Sequence, residues 1–255
     1  MQRSPLLTRL RLLLVGLHLI SAALQVGLLF PLAGAALRQR LKRAWSRQLL
    51  ALLGIRLEAA GGGLDRIEHG LLVCNHISFI DIFVLNALLP SGFVAKSDVG
   101  EWPLIGWLAR RNDTVFIERG SRKAAYDTQR SMLAAFGAGK RLVVFPEGTT
   151  TAGERLLPFH AALFQGAIDA AVPVHALALC YHGADGLRSA VPAYIDDISL
   201  LTCLTTVLEA RGLMARVALA ARFEPPLADR RHLAHRAHQT VAAALAHPEK
   251  HATSP

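Results

Sequence analysis

Charged side chains and cysteines are both scarce in this sequence. Asp, Glu, Lys and Arg together make up 18% of its 255 residues, whereas about a quarter is usual for a soluble domain. The three cysteines, Cys74, Cys180 and Cys203, are odd in number and lack the spacing of metal ligands. We therefore expect buried thiols in a reducing compartment, with no disulfide framework and no cysteine nucleophile.

Apolar residues and positive charge are abundant instead. Hydrophobic residues account for 52% of the chain, and 28 basic against 19 acidic residues give a formal net charge of +9. This composition predicts one globular domain with an appendage and with apolar surface to spare. It also favours a membrane surface or an anionic lipid as the partner, and argues against a nucleic acid. The alternative is that the surplus arginines only keep an apolar protein soluble.

A long uncharged run lies near the N-terminus, from Leu12 to Leu37. It exceeds the roughly 20 residues that cross a bilayer, and the basic block after it argues against a cleaved signal peptide. Pro31 and Gly34 could divide the run into two shorter helices, so a spanning helix and an interfacial hairpin are equal alternatives. More basic residues follow the run than precede it, which favours a cytoplasmic location for the rest of the chain.

Strand-like apolar runs alternate with helical patterns after the turn at Gly61-Gly62-Gly63. This alternation predicts an α/β sheet with helices on its faces. The predicted strands cover residues 71–74, 93–95, 114–118, 142–145, 174–180 and 215–223. The predicted helices cover residues 78–89, 121–136, 160–171, 200–212 and 228–246.

The first of these strands ends in the polar turn Asn75-His76-Ile77-Ser78, and Asp81 follows. Ser78 and Asp81 have the spacing of a capping box, which predicts a helix that begins at Ser78 and carries Asp81 in its first turn. His76 then lies just before the helix, where Asp81 can face it. A neighbouring carboxylate stabilises the protonated imidazole, so His76 could act as a general base. The alternative is that Asp81 only caps the helix and His76 is a surface residue.

Three further strand ends carry polar residues. Arg119 precedes a predicted helix start, which is a good geometry for binding phosphate. Glu147 follows Pro146 in the next turn and could orient the histidine, bind an acceptor hydroxyl or accept backbone N–H groups. Gly148 indicates a strained or closely approached backbone, and Lys96 could contact a head group. Arg119 and Lys96 could equally be solvated surface charges.

Together these segments resemble a known family. Asn75-His76-Ile77-Ser78-Phe79-Ile80-Asp81 is similar to the His-x4-Asp block of the glycerolipid acyltransferases. The three blocks that follow in that family resemble Phe116 to Arg119, Phe145 to Thr149 and Ala171 to Val174. The order and spacing agree over about residues 65 to 225. The group that the motifs resemble most is the 1-acyl-sn-glycerol-3-phosphate acyltransferases.

The resemblance implies a fold and an organisation of the chain. The fold is a mixed α/β sheet flanked by helices, with an N-terminal hydrophobic membrane-anchoring helix or helix pair. Residues 1–60 would form the membrane-associated helical segment, and residues 61–255 the acyltransferase domain. The location implied is a bacterial-type inner membrane, with the catalytic domain at its cytoplasmic face.

The resemblance also implies the chemistry. His76 would deprotonate the sn-2 hydroxyl of 1-acyl-sn-glycerol-3-phosphate as it attacks acyl-CoA or acyl-ACP, and Asp81 would polarise the imidazole, giving phosphatidic acid. Neither a metal nor a cofactor is implied, because a thioester is already activated, and Ser78 is implied as a helix cap. The implied substrate-binding residues are Arg119, Glu147, Gly148, Thr149 and Lys96, with Pro173 supporting the acyl pocket.

One departure from the family pattern affects the predicted acceptor. The family commonly has Phe-Lys-x-Gly after its third block, where this chain has Phe159-His160-Ala161-Ala162. Loss of that lysine weakens a phosphate site and admits a lyso-ornithine lipid or another lyso-aminolipid as acceptor. A non-catalytic lipid-binding protein is a further alternative, although both His76 and Asp81 are present. A serine hydrolase is disfavoured because the chain lacks a Gly-x-Ser-x-Gly elbow.

Overall fold

A seven-stranded sheet forms the centre of the protein. The computed structural model describes residues 4–117 and 122–247, apart from the side chains of residues 122–125. Neighbouring strands follow the order β1-β7-β6-β2-β5-β3-β4, and every pair is parallel except β6 and β7. The sheet is therefore mixed, with β2 in the middle. The strands are β1 (Ile55–Ala60), β2 (Gly70–Cys74), β3 (Gly92–Lys96), β4 (Val115–Ile117), β5 (Arg141–Val144), β6 (Val174–His182) and β7 (Leu213–Phe223).

Helices cover both faces of this sheet. Those of the described chain are α1 (Pro5–Leu24), α2 (Ala35–Leu53), α3 (Asp81–Leu88), α4 (Ser97–Glu101), α5 (Ile105–Arg111), α6 (Arg122–Gly137), α7 (Gln165–Asp169), α8 (Leu200–Glu209) and α9 (Arg230–Ala246). A π-helix, Gln25–Leu29, continues α1, and short 3-10 helices occupy Leu64–Arg66 and Ala161–Phe164. Helices α1, α2, α3 and α8 pack on one face, and α6, α7 and α9 on the other.

Strand β2 contributes to the hydrophobic cores on both faces. Leu72 and Cys74 belong to the core under α1, α2, α3 and α8, and Leu71 and Val73 to the opposite core. Successive side chains of a strand leave opposite faces, so a central parallel strand needs apolar residues at every position. All five residues of β2 are buried. This burial explains why an unbroken apolar run predicted the strand.

The N-terminal segment is a pair of helices. Pro5–Leu29 is the one stretch of the described chain that is long and apolar enough to cross a membrane, and 11% of its apolar 18-residue window is buried. A turn that contains Pro31 and Gly34 separates it from α2, as the sequence predicted for the two-helix alternative. Thr8, Val15 and Ala22 are the buried residues of α1. They recur every seventh position, so one narrow side of the helix contacts α2 and α8.

The predicted α/β class with a mixed, helix-flanked sheet is confirmed, and all six predicted strands are present. Strand β1 was not predicted, and it pairs with β7 although it precedes residue 61. The boundary between residues 60 and 61 stays a prediction. Helices α4 and α5 were also not predicted, and the predicted helix 160–171 is divided into a 3-10 helix and the short α7. The three cysteines are free and buried, as expected.

Candidate active site

The turn after β2 is fixed to the neighbouring strand by an amide side chain. Asn75 donates from Nδ2 to the carbonyl oxygen of Leu179 at 2.9 Å, and its Oδ1 accepts the N–H of Leu179 at 2.8 Å. Asn75 is buried, so these bonds satisfy polar groups that water does not reach. The pair joins the end of β2 to β6 and determines where the following residues lie.

Asp81 organises the backbone of the same turn. Its Oδ2 accepts the backbone N–H groups of Ile77 at 2.7 Å and Ser78 at 2.9 Å, and Ser78 Oγ accepts the N–H of Ile80 at 3.3 Å. The acid therefore reaches back to the serine as in a capping box. Regular helix begins at Asp81, and not at Ser78 as predicted, because Ile77 to Ile80 form a turn whose N–H groups bind these two side chains.

His76 contacts Asp81 through one ring nitrogen. Nδ1 lies 2.9 Å from Oδ2, and the side chains are 18% and 0% exposed. The imidazole also stacks on the ring of Phe145, with centroids 3.8 Å apart and an interplanar angle of 8°. A carboxylate only accepts hydrogen bonds, so the neutral ring carries its proton on Nδ1. Nε2 is left with the lone pair that can receive a proton.

A tyrosine on β6 completes the surroundings of Asp81. The Tyr181 hydroxyl donates to Oδ1 at 2.7 Å, and the two residues are 100 positions apart in sequence. Burial, together with the charge of Asp81, raises the pKa of Tyr181 well above its ordinary value, so the phenol stays protonated as a donor. Sequence reasoning missed this residue. The available signal was a tyrosine in a fully buried strand, because a buried phenol needs a hydrogen-bond partner.

Glu147 holds the backbone around His76. Oε1 accepts the N–H of His76 at 2.8 Å, and Oε2 accepts the N–H of Leu157 at 2.9 Å. The side chain is 4% exposed, and burial raises its pKa although the two backbone hydrogen bonds lower it. Of the three functions that the sequence left open for Glu147, its contacts are those of a residue that orders two loops.

The residues beside Glu147 shape the edge of this turn. Gly148 has a φ of +72°, a left-handed conformation that favours glycine. Thr149 is exposed. The N–H of His160 donates to the carbonyl oxygen of Pro146 at 2.8 Å, which brings the departure from the family pattern next to the same turn.

The other predicted site residues are placed differently. Lys96 is exposed at the end of β3. Because β3, β5 and β2 are parallel, it lies at the carboxyl-terminal ends of the strands, as His76 does. Pro173 precedes β6, and its carbonyl accepts the N–H of Leu71. It therefore lies at the amino-terminal ends of these strands, on the other side of the sheet from His76 along the strand direction. Arg119 lies outside the described residues.

Several known proteins are similar to this chain in sequence. A family model for acyltransferases matches residues 62–179. A 1-acyl-sn-glycerol-3-phosphate acyltransferase from Neisseria meningitidis is 40% identical over 171 residues, which is 67% of this chain and 67% of that protein. A lyso-ornithine lipid O-acyltransferase from Pseudomonas aeruginosa is 38% identical over 249 residues, which is 94% of this chain and 95% of that protein.

A solved structure shares the fold. The 1-acyl-sn-glycerophosphate acyltransferase PlsC from Thermotoga maritima superimposes with a TM-score of 0.69 at 17% identity, covering 97% of this chain and 100% of that one. Fold and matched region together define an acyltransferase. The chain belongs to the glycerolipid acyltransferase family that includes the 1-acyl-sn-glycerol-3-phosphate acyltransferases. The family predicted from the four sequence blocks is confirmed, and with its apolar first helix the enzyme is membrane-associated.

Proposed function

We propose that this enzyme transfers a fatty acyl chain from acyl-CoA or acyl-ACP to the free hydroxyl of a lysolipid, with His76 as general base. The acceptor hydroxyl gives its proton to Nε2 of His76 while its oxygen attacks the thioester carbonyl. An ester C–O bond forms, the thioester C–S bond breaks, and the leaving thiolate takes the proton from the imidazolium. Asp81 stabilises the imidazolium between these two proton transfers.

One observation supports this mechanism above the others, namely the 2.9 Å contact between His76 Nδ1 and a carboxylate that is 0% exposed. A buried charge acts on its neighbour with little screening by water. The imidazolium is therefore stabilised where it forms, and Nε2 is the nitrogen that faces a substrate. A non-catalytic lipid-binding protein would gain nothing from this pair.

The first acceptor we propose is 1-acyl-sn-glycerol-3-phosphate, acylated at its sn-2 hydroxyl to give phosphatidic acid. The four sequence blocks and the 40% identity to the Neisseria meningitidis enzyme support this acceptor. Arg119 and Lys96 are the proposed phosphate-binding residues, and Gly148 and Thr149 are proposed to line the acceptor side of the turn. Glu147 would act on the acceptor through the loops that it orders.

A lyso-ornithine lipid is the second candidate, and two observations favour it. The relative from Pseudomonas aeruginosa that bears this activity in its name matches 94% of the chain. His160 and Ala162 also replace the lysine and glycine of the family pattern, and His160 lies beside the Pro146 turn. A lysine carries a permanent positive charge near neutral pH, so its loss removes a strong phosphate ligand.

We infer that the enzyme lies on the cytoplasmic face of a bacterial inner membrane. The buried positions of α1 are spread along its whole length, which supports a helix that lies against the domain with its leucine-rich remainder in one leaflet. Basic residues are concentrated in α2, directly after the apolar helix, and the three free cysteines fit a reducing compartment.

The acceptor is tested by offering the purified enzyme a radiolabelled acyl thioester with lysophosphatidate or with lyso-ornithine lipid, in separate vesicles. The His76→Ala variant serves as the control for uncatalysed transfer. Labelled phosphatidic acid is the expected product. Product from the lyso-ornithine lipid alone would replace the first acceptor by the second, and product from neither would contradict the proposed function. Repeating the assay with acyl-CoA and acyl-ACP identifies the donor.

A further inference from the structure

Tyr181 is attached to the dyad from a distant part of the chain. It is 1% exposed and its hydroxyl donates to Asp81 Oδ1 at 2.7 Å. The other oxygen, Oδ2, accepts three donors, which are Nδ1 of His76 and the N–H groups of Ile77 and Ser78. Among the described residues, Tyr181 is the hydrogen-bond donor to Oδ1. The two oxygens of Asp81 therefore have separate partners: the turn after β2 provides the donors to Oδ2, and β6 provides the donor to Oδ1.

The division of partners determines the rotation of the carboxylate. A partial rotation of the carboxylate about its Cβ–Cγ bond would move Oδ2 away from the imidazole. The phenol restricts that rotation from a second side, because it comes from β6, which is fixed in place by its pairing with β2 along residues 71–74. The backbone of Tyr181 is itself fixed, since its carbonyl accepts the N–H of Ser189 at 3.0 Å.

The phenol also shares the negative charge of Asp81. A hydrogen bond to a carboxylate stabilises its ionised form, which lowers the readiness of the His76–Asp81 pair to take up a proton. A general base works only while it is unprotonated, so this effect extends activity to lower pH.

We propose that Tyr181 is a positioning residue for acyl transfer, holding Asp81 Oδ2 toward His76 and sharing the negative charge of Asp81. This inference rests on the proposed function, because the reaction needs His76 as base. Tyr181 acts through Asp81 and touches neither substrate.

Three other titratable groups lie around the His76–Asp81 pair, and all three are the same in every variant below. They come from β2, from the turn after β5 and from α8. Burial raises the pKa of each, as it does for Tyr181, so the thiols stay protonated near neutral pH. These groups are Cys74, Glu147 and Cys203. Glu147 is unchanged in every variant below, so its titration contributes equally to each pH profile.

The test removes the hydroxyl with Tyr181→Phe and measures kcat, KM and the pH profile. We expect kcat to fall about tenfold with both KM values unchanged. We expect the acid limb of the profile to move to higher pH by about 0.5 to 1 unit, the size expected for one hydrogen bond. Tyr126→Phe is the matched control, because Tyr126 is 64% exposed on α6. It should leave both quantities unchanged.

A second substitution at position 181 should move the acid limb of the pH profile in the opposite direction. Site-specific 3-fluorotyrosine at position 181 keeps the side-chain shape and donates a stronger hydrogen bond, so the acid limb should move to lower pH. This variant retains the buried contact and keeps the inference testable if Tyr181→Phe does not fold. In an Asp81→Asn background, either change at position 181 should have no further effect on the limb, because Tyr181 acts through the carboxylate.

A readout without substrate separates this inference from the proposed function. The titration of the His76 imidazole, followed by NMR in detergent, should move to higher pH in Tyr181→Phe and to lower pH with 3-fluorotyrosine. Equal midpoints in all three proteins would overturn the inference whether or not the enzyme acylates either lysolipid. Conversely, the expected shifts of the His76 midpoint in a protein that transfers no acyl chain would support the role of Tyr181 and contradict the proposed acyltransferase function.

Discussion

His76 lies just after the carboxyl-terminal end of β2, whereas His175 lies near the start of the neighbouring strand β6, and the two rings have different partners. His76 follows β2, is 18% exposed and contacts a buried carboxylate. His175 is the second residue of β6, is 1% exposed and pairs with Leu72. Its Nε2 contacts the carbonyl of His69 at 3.1 Å, and its Nδ1 has no hydrogen-bond partner within the described part of the chain. Burial lowers the pKa of His175 to about 4.

The difference shows what a histidine needs in order to act as a base, which is the role that we propose for His76. Both rings are held by one hydrogen bond through one nitrogen. At His175 the partner is a neutral carbonyl, so the ring stays neutral and serves the packing. At His76 the partner is an anion, and the free nitrogen lies at the carboxyl end of parallel strands, where open α/β sheets bind their ligands. An ionised partner and an accessible second nitrogen distinguish the two sites.

The largest effect expected is that of replacing each histidine by alanine. His76→Ala should lower kcat by about 10³-fold or more, because the acceptor hydroxyl loses its base. His175→Ala should leave kcat within about twofold, since His175 lies at the other edge of the sheet. Vesicle binding and circular dichroism should be unchanged in His76→Ala. Full activity in this variant would contradict the assignment of His76.

The next effect is that of neutralising the partner of His76. Asp81→Asn keeps the side-chain shape but removes the charge that stabilises the imidazolium, and its amide can donate to the ring. We expect a decrease in kcat of about 10²-fold with unchanged KM for both substrates. Activity close to wild type would mean that Asp81 only caps α3.

A smaller effect is expected at Glu147. A glutamine there presents an NH2 group to one of the two backbone N–H groups that Glu147 accepts, so the loops at His76 and Leu157 shift. We expect Glu147→Gln to lower kcat about tenfold, since small displacements of a catalytic group are costly, and to lower the melting temperature. A raised KM for the lysolipid with unchanged kcat and stability would instead assign Glu147 to acceptor binding.

The smallest effect concerns stability in acid. The pKa of His175 is about 4 in the fold and near 6.5 when unfolded, so unfolded chains bind a proton first as the pH falls. Its contribution is complete above pH 6.5 and is lost between pH 6.5 and 4, up to about 3 kcal/mol. His175→Gln should show less loss of unfolding free energy across this window in detergent. The same pH dependence in both proteins would contradict the burial argument.

The parts of the fold that the sequence predicted are those with strong local patterns. Unbroken apolar runs predicted β2 and β6, whose residues are buried on both faces. Strand β1 has Arg56 and Glu58 in a half-exposed edge position with one partner strand, so its pattern lacks a continuous apolar run. Helices α4 and α5 have five and seven residues, too few to show a periodicity.

The candidate site likewise contains contacts that local sequence patterns predicted and contacts that they did not. The His76–Asp81 contact depends on residues five apart and on a capping pattern, both of which are visible in sequence. Tyr181 reaches Asp81 across 100 residues, and no local pattern encodes the register that pairs β6 with β2. Glu147 was predicted at the site, but its use of both oxygens on backbone N–H groups depends on where the loop to Leu157 folds.

The central claim is that Asp81 holds the Nδ1 proton of His76 and leaves Nε2 free as the base. It is tested most directly by the ¹⁵N NMR spectrum of the neutral His76 ring, assigned by its loss in His76→Ala. The account predicts that the neutral ring carries its proton on Nδ1 and leaves Nε2 unprotonated. A neutral ring protonated on Nε2 would contradict it.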